Sequence, residues 1–396
     1  MTGADVAVAG TGIHPWGKWG RGFVEYGVAA ARAALADAEV KHTEVGFIAG
    51  ACTIRNGYPG FVAGATFAQA LGWSGAQIAS CYAACASGAQ AIAVARAQIL
   101  AGLCDAALVV GSDAAPKGFF APVSGDRPDD PDWLRFRLLG ATNPAYFALA
   151  ARRRMALYGS TPTDFARVKV KNAHHGSANP NARYRAKVTE EEVLASPVVA
   201  DPLRLLDICA TSDGAAALVL TGLDDARRRE RRPVRLSAVA TVTPRFPNPL
   251  LEIPNFATDS CLALDPPETP FRASIARAAY EQAGVGPEDL DLAEVYDLST
   301  ALELDWYEDI GLCPAGRAEG LLHDGATEIG GRVPVNPSGG LASFGEAVPA
   351  QAIAQVCEIT RQLQGRSGAR QVESARIGLA VNQGLFGHGS AVVVRR

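Results

Sequence analysis

Two widely separated stretches of the chain repeat one another as helix, tight turn and buried strand, and this echo limits the fold more than any other feature. Gly27 to Glu39 reads as an Ala-rich helix running into Ala36-Asp-Ala-Glu-Val40, followed by a short polar link and an apolar strand from Val45 to Ala49. Ala273 to Val285 reads as a second such helix ending Glu281-Gln-Ala-Gly-Val285. After Gly286-Pro-Glu-Asp-Leu-Asp291 comes the strand Leu292 to Val295. Gly and Pro punctuate the helix exit, as expected where a helix must stop. The repeat implies an internal duplication of about 200 residues per copy.

Each half continues in kind. In the first, Ala91 to Leu103 is helical and Asp105 to Val110 is a continuous apolar strand; in the second, Gln351 to Leu363 and Ile377 to Val381 take those roles. Strands alternating with helices predict an α/β fold with a duplicated βαβ core and a largely parallel sheet covered by helices on both faces. A segment of about 100 residues between Ser112 and the strand Ala215 to Leu220 breaks the repeat. It holds a helix from Ala145 to Tyr158 and a polar run from Lys171 to Arg183, and reads as an inserted loop domain capping the core. The expected division is residues 1–113 and 205–224 for the N-terminal half, 114–204 for the loop domain, 225–234 for a linker and 235–396 for the C-terminal half.

Composition narrows the function classes. Hydrophobic residues make up 48% and charged residues 20%, the balance of a globular chain, and the net charge of -4 offers no basic stripe for nucleic acid. The eight cysteines, at positions 52, 81, 85, 104, 209, 261, 313 and 357, show no paired framework. A reducing cytoplasm is therefore expected. The first residues lack the basic and apolar regions of a signal peptide. Asn56 to Ala95 carries no charge but includes Pro59 and scattered Ser, Asn and Gln, so it reads as buried core and not as a membrane span. The cluster Arg227 to Arg232 reads as a solvated helix end and linker. Arg152 to Arg154 fit an exposed helix face, or a reach toward coenzyme phosphates.

Several residues are candidates for chemistry. Cys85 lies in Cys81-Tyr-Ala-Ala-Cys-Ala-Ser-Gly88, between the strand Ala76 to Ser80 and a long helix, where the positive end of the helix dipole favours a thiolate. A small buried core cysteine fits the same place. In Asn382-Gln-Gly384-Leu-Phe-Gly-His388-Gly-Ser, the glycines suggest a tight loop between two buried strands whose amides can hold an oxyanion. His388 is a proton carrier or a loop residue. His174-His175 lacks the i,i+4 spacing of helical metal ligands and reads as a loop pair, exposed or hydrogen-bonded, so no metal is expected.

The run Cys85-Ala-Ser-Gly88 after a strand resembles the nucleophile turn of the thiolase superfamily. Asn143-Pro-Ala, Arg154-Met, Tyr158-Gly, Lys171-Asn, Asn179-Pro, Thr211-Ser-Asp-Gly-Ala-Ala-Ala217, Gly311-Leu-Cys-Pro314 and Val335-Asn-Pro-Ser-Gly339-Gly340 follow in order and resemble its sterol-carrier-type branch. The resemblance covers essentially the whole chain and implies the layered α/β/α/β/α thiolase fold. It also marks what is missing. The family's His-Asp-Cys-Phe motif is here Tyr296-Asp297-Leu298-Ser299, and its Gly-His-Pro is Gly345-Glu346-Ala347. Of the usual set only Cys85 survives.

A Claisen condensation needs a base to activate the cysteine and a second group for the α-proton, and Leu298 supplies neither. The pattern is most similar to actinobacterial steroid side-chain aldolases described as lipid-transfer proteins. They carry Tyr-Asp and Gly-Glu-Ala at these points, and a tyrosine where this chain has Val348. The resemblance implies retro-aldol cleavage of a bulky, sterol-like β-hydroxyacyl-CoA to a ketone and a shorter acyl-CoA. Coenzyme A enters only as part of the substrate. No Schiff-base lysine is required, because a thioester is its own electron sink.

The expected catalytic set is Tyr296 as base with Cys85, Asp297, His388 and Glu346; Asn382, Gly384, Gly339 and Gly340 are expected to bind substrate. Tyr296 alternatively packs in the core, Asp297 caps the helix starting at Ser299, and Glu346 makes a structural contact. Two other functions stay open: a Claisen thiolase or acyltransferase using Cys85, and a non-catalytic acyl-CoA or lipid carrier. Phe119, Phe120, Trp133 and Phe136 either line a wide pocket or pack the loop domain. A homodimer is expected, paired through the segment around Cys81 and Tyr82. The resemblance further implies a separate zinc-ribbon and OB-fold partner protein.

Overall fold

A computed structural model describes residues 5–52, 63–115, 143–228, 233–245, 269–384 and 387–396. Nine strands form one sheet: β1 (Val6–Gly17), β2 (Phe47–Ala51), β3 (Gln77–Cys81), β4 (Ala106–Ala114), β7 (Asp213–Gly222), β8 (Val234–Val242), β9 (Leu292–Glu294), β10 (Ile377–Gly384) and β11 (His388–Arg395). The strands β5 (Val198–Ala200) and β6 (Leu203–Arg204) make a separate hairpin. In space the main sheet runs β3-β2-β4-β7-β1-β8-β11-β10-β9.

The halves meet where β1 pairs with β8, through only Ala7 with Arg235 and Val8 with Val234. On either side each half-sheet is covered twice. The helices Ser87–Leu100 and Gln351–Gln364 share one apolar cluster, in which Ile92, Ala95, Ile353 and Val356 meet Val109 and Leu218 of one half and Ala380 and Val392 of the other. This is the middle layer. Outside it, the helix Phe23–Ala38 packs Tyr26, Ala30 and Ala34 on Leu108, Val110 and Ala217. The helix Phe271–Ala283 packs Phe271 and Ile275 on Leu379, Val381 and Val393. Full burial of each large apolar side chain is worth roughly 1.5–3 kcal/mol, which makes the five layers one cooperative core. Alternation along β4 explains how: Leu108 and Val110 face outward helices while Ala107 and Val109 face the middle pair.

The expected parallel sheet is corrected. Five of the eight neighbouring pairs are antiparallel. Parallel pairs occur where a helix crosses over, as between β2 and β4. The long strands β1 and β8 run antiparallel to β7 and β11, and β10 turns directly into β11, a connection too short for a parallel return. The uncharged stretch is also only partly core: β3 is the sheet edge, and Trp73, Ile78 and Tyr82 are exposed.

Two further readings change in the 143–204 region. Lys171 and the His174-His175 pair lie on the helix Pro162–Ser177, opened by Thr161 and Asp164, which cap each other's backbone amides. His174 is exposed, but His175 is buried, with Nδ1 against the Asn336 carbonyl at 3.0 Å and Nε2 accepting the Ile329 amide at 3.2 Å. Both ring nitrogens are thus occupied. Arg154 is not on an exposed face: it is buried and bonds Asp305, Glu308 and Glu319 at 2.9, 2.5 and 2.7 Å. Arg152 pairs with Asp201, and Arg227 and Arg228 form exposed pairs with Asp224 and Asp225. Residues 229–232, and Phe119, Phe120, Trp133 and Phe136, lie outside the described residues.

Candidate active site

The site forms where three chain turns meet at the ends of the middle-layer helices. After β3 the backbone turns sharply, with Ala84 in the left-handed region at φ 48°. Ser87 fastens the turn, its hydroxyl accepting the Ala83 amide at 2.9 Å and donating to the Ala84 carbonyl at 2.6 Å. Cys85 sits inside that turn, ahead of the helix Ser87–Leu100. Tyr296 lies in the loop after β9, where Trp306 Nε1 donates to its carbonyl at 3.0 Å. Glu346 follows the short helix Gly340–Phe344. Its amide donates to the Ala210 carbonyl at 2.6 Å and its carbonyl accepts the Ser212 amide at 2.9 Å.

These supports bring two side chains to one oxygen of the Glu346 carboxylate. Cys85 Sγ donates to Glu346 Oε1 at 3.2 Å, and the Tyr296 hydroxyl donates to the same atom at 3.1 Å. All three are buried, at 7%, 4% and 1% exposure. Burial first, then the neighbouring Cys85 and Glu346, hold the Tyr296 phenol well above its ordinary value. It is therefore protonated at neutral pH. Gln351, at the start of its helix, donates from Nε2 to the Cys85 carbonyl at 3.3 Å, and its side chain beside Tyr296 lowers the phenol's pKa against the effect of burial.

Cys209 is packed into the same place. Its amide donates to the Leu298 carbonyl at 3.0 Å, and its thiol is pushed well up by burial and by Glu346, Asp297 and Cys85. Sequence reasoning missed both Gln351 and Cys209. Nothing in their local sequence marks them, because each reaches the site only through long-range packing.

Asp297 stands apart from the trio. It was expected to cap the helix starting at Ser299, but that helix, Thr300–Asp309, is capped by the Ser299 hydroxyl on the Leu302 amide. Asp297 instead accepts the Leu341 and Ala342 amides at 2.8 and 3.1 Å and the Asn172 side chain at 3.1 Å. Burial and then Glu303 push its carboxyl up to about 8. Behind it, Glu303 receives Lys171 at 2.5 Å, Asn172 at 2.5 Å, Asn336 at 2.8 Å and Tyr307 at 2.6 Å. This buried network fixes the Asn172 and Asn336 segments behind the Tyr296 loop.

The residues expected to bind substrate divide. A methyl on Gly384 would fall 2.4 Å from the Ala83 carbonyl oxygen and 3.1 Å from the Cys85 amide nitrogen, so glycine alone lets the end of β10 come this close to the cysteine turn. Asn382 is buried and donates to Gln355 at 2.5 Å. Gly339 and Gly340 fill packing positions: a methyl on either would lie 2.5 Å from Gly176 Cα or Asp297 Oδ2 respectively. His388 opens β11 opposite Gly384; burial lowers its pKa, and no hydrogen bond joins it to the trio among the described residues. Val348 is buried in the same apolar cluster as Cys85, Tyr296 and Leu298.

Comparison with known proteins agrees with this architecture. Residues 22–224 match the family described as "Thiolase, N-terminal domain" and residues 263–396 match "Thiolase C-terminal domain-like". Sterol carrier protein 2 of Gallus gallus is 33% identical over 98% of this chain and 71% of its own length. An acetyl-CoA acetyltransferase of Methanothermobacter thermautotrophicus is 36% identical over 78% of this chain and 77% of its own. A solved structure described as "Ltp2-ChsH2(DUF35) aldolase" superposes with a TM-score of 0.81 at 25% identity, covering 99% of this chain and 97% of that one. The chain is thus a thiolase-fold enzyme and belongs to the thiolase superfamily, in its sterol-carrier-type branch.

Proposed function

We propose that the chain is a carbon–carbon lyase that cleaves a bulky, sterol-like β-hydroxyacyl-CoA by a retro-aldol reaction. The observation that carries this reading is the tyrosine–carboxylate pair, Tyr296 on Glu346 at 3.1 Å, standing where a Claisen enzyme of this family carries histidines. A high-pKa phenol is a poor phenolate base, but hydrogen-bonded to a carboxylate it acts as a relay. Tyr296 takes the β-hydroxyl proton as it passes its own to Glu346. The Cα–Cβ bond breaks, the β-carbon becomes a ketone, and the electron pair moves into the thioester as an enolate. Hydrogen-bond donors aimed at that oxygen would stabilise the enolate as it forms. The similarity to an aldolase structure supports the same reaction class.

The similarity to an acetyltransferase, with Cys85 bonded to a carboxylate, favours acyl transfer as the second reading. Intact-protein mass after incubation with acyl-CoA separates them. Unmodified Cys85 with formation of a ketone and a shortened CoA ester supports the lyase; an acylated Cys85 supports the transferase. The neighbour's description joins an aldolase to a DUF35 protein, so we also propose a separate zinc-ribbon and OB-fold partner for this chain. Self-association is proposed through β3, the end strand of the sheet among the described residues, where Ile78 is exposed beside Trp73 and Tyr82.

A further inference from the structure

We infer that Cys85 is the acid that protonates the enolate carbon, so that the residue a Claisen enzyme would use as nucleophile serves here as a proton donor. The inference rests on the lyase reading and follows from its proton balance. Cleavage removes a proton from the β-hydroxyl oxygen and must deliver one to Cα; no net proton is gained or lost. In the relay Tyr296 passes its own proton to Glu346 Oε1, which its hydroxyl bonds at 3.1 Å, and that oxygen has a second partner, Cys85 Sγ at 3.2 Å.

The thiol gives its proton to Cα as the Cα–H bond forms, and Glu346 returns the stored proton to sulfur. The site then stands as it began. Burial of all three groups makes bulk water a poor competitor for this step. Gln351 acts as a positioning residue: its bond to the Cys85 carbonyl at 3.3 Å steadies the turn that presents the thiol to the carboxylate. Cys209 packs against the same group, its thiol pushed well up by burial and by Glu346, Asp297 and Cys85.

The test reads the α-carbon directly. The enzyme, with its partner protein if cleavage requires one, is incubated in D2O with acetyl-CoA or propionyl-CoA, and deuterium at Cα is followed by NMR. Wild type is expected to exchange the α-protons, and Cys85→Ala to lose on the order of 100-fold or more. Cys85→Ser, which refills the volume with a much weaker acid, is expected to fold and to be similarly impaired. Exchange by Cys85→Ala at the wild-type rate, or no exchange by wild type, overturns the assignment. Failure of the lyase reading looks different: wild type would exchange α-protons and acylate Cys85, yet cleave no β-hydroxyacyl-CoA.

Discussion

In the proposed relay Tyr296 and Glu346 divide one task, and removing either hydroxyl or charge should expose it. Tyr296→Phe keeps the ring in its packing and is expected to lower kcat for cleavage on the order of 10²-fold or more, with little change in Tm. Glu346→Gln should cost a similar factor. Steady-state kinetics beside thermal melts check both, and a Tyr296→Phe enzyme with full activity would contradict the relay. A second residue-scale expectation concerns His175, whose pKa burial lowers from 6.5 to about 3. Between those values the unfolded chain binds a proton that the fold refuses, so this histidine's contribution to stability is present above about pH 6.5 and is lost as pH falls toward 3. His175→Gln should flatten that acid slope in denaturation measured from pH 7.5 to 4. At this scale the sequence identifies Tyr296, Glu346 and Cys85 through motif positions, but not that they share one oxygen. Cys85 and Glu346 are 261 positions apart, and only the assembled middle layer brings them together.

At the scale of elements, the approach of β10 to the cysteine turn and the clamp on the helix Asn143–Tyr158 are the features most open to test. Gly384→Ala forces a methyl against Ala83 and Cys85, so activity should fall while the fold persists, as circular dichroism can verify. Arg154→Met leaves Asp305, Glu308 and Glu319 without their shared cation. A loss of about 3–5 kcal/mol in denaturant unfolding is expected, the range for breaking a buried ion pair. Helix and strand positions were legible because apolar periodicity and Gly exits are local signals; the helix read as Gln351 to Leu363 spans Gln351–Gln364. Strand direction was not legible, since β1 and β8 pair across the duplication, and a polar run such as Lys171 to Arg183 hides its helix when its charges are satisfied internally.

For the whole molecule, the duplicated core, the helices that cap its second half and the end strand β3 of the described sheet make one assembly problem. Replacing Ile78 by Lys should shift a dimer toward monomer in light scattering, because a charge on the exposed edge blocks pairing. The duplication was readable because each half repeats its own helix–strand order, and the resemblance marked the Cys81–Tyr82 segment as an edge, whereas an uncharged stretch alone looks the same in a core and at an interface. The central claim is that the chain breaks a carbon–carbon bond without a second thiol. Its most direct test is cleavage of a β-hydroxyacyl-CoA with and without added free CoA, quantifying ketone and shortened CoA ester by mass spectrometry. The account predicts equal amounts of the two products at a rate independent of free CoA; cleavage that requires CoA and consumes it in proportion to product would contradict it.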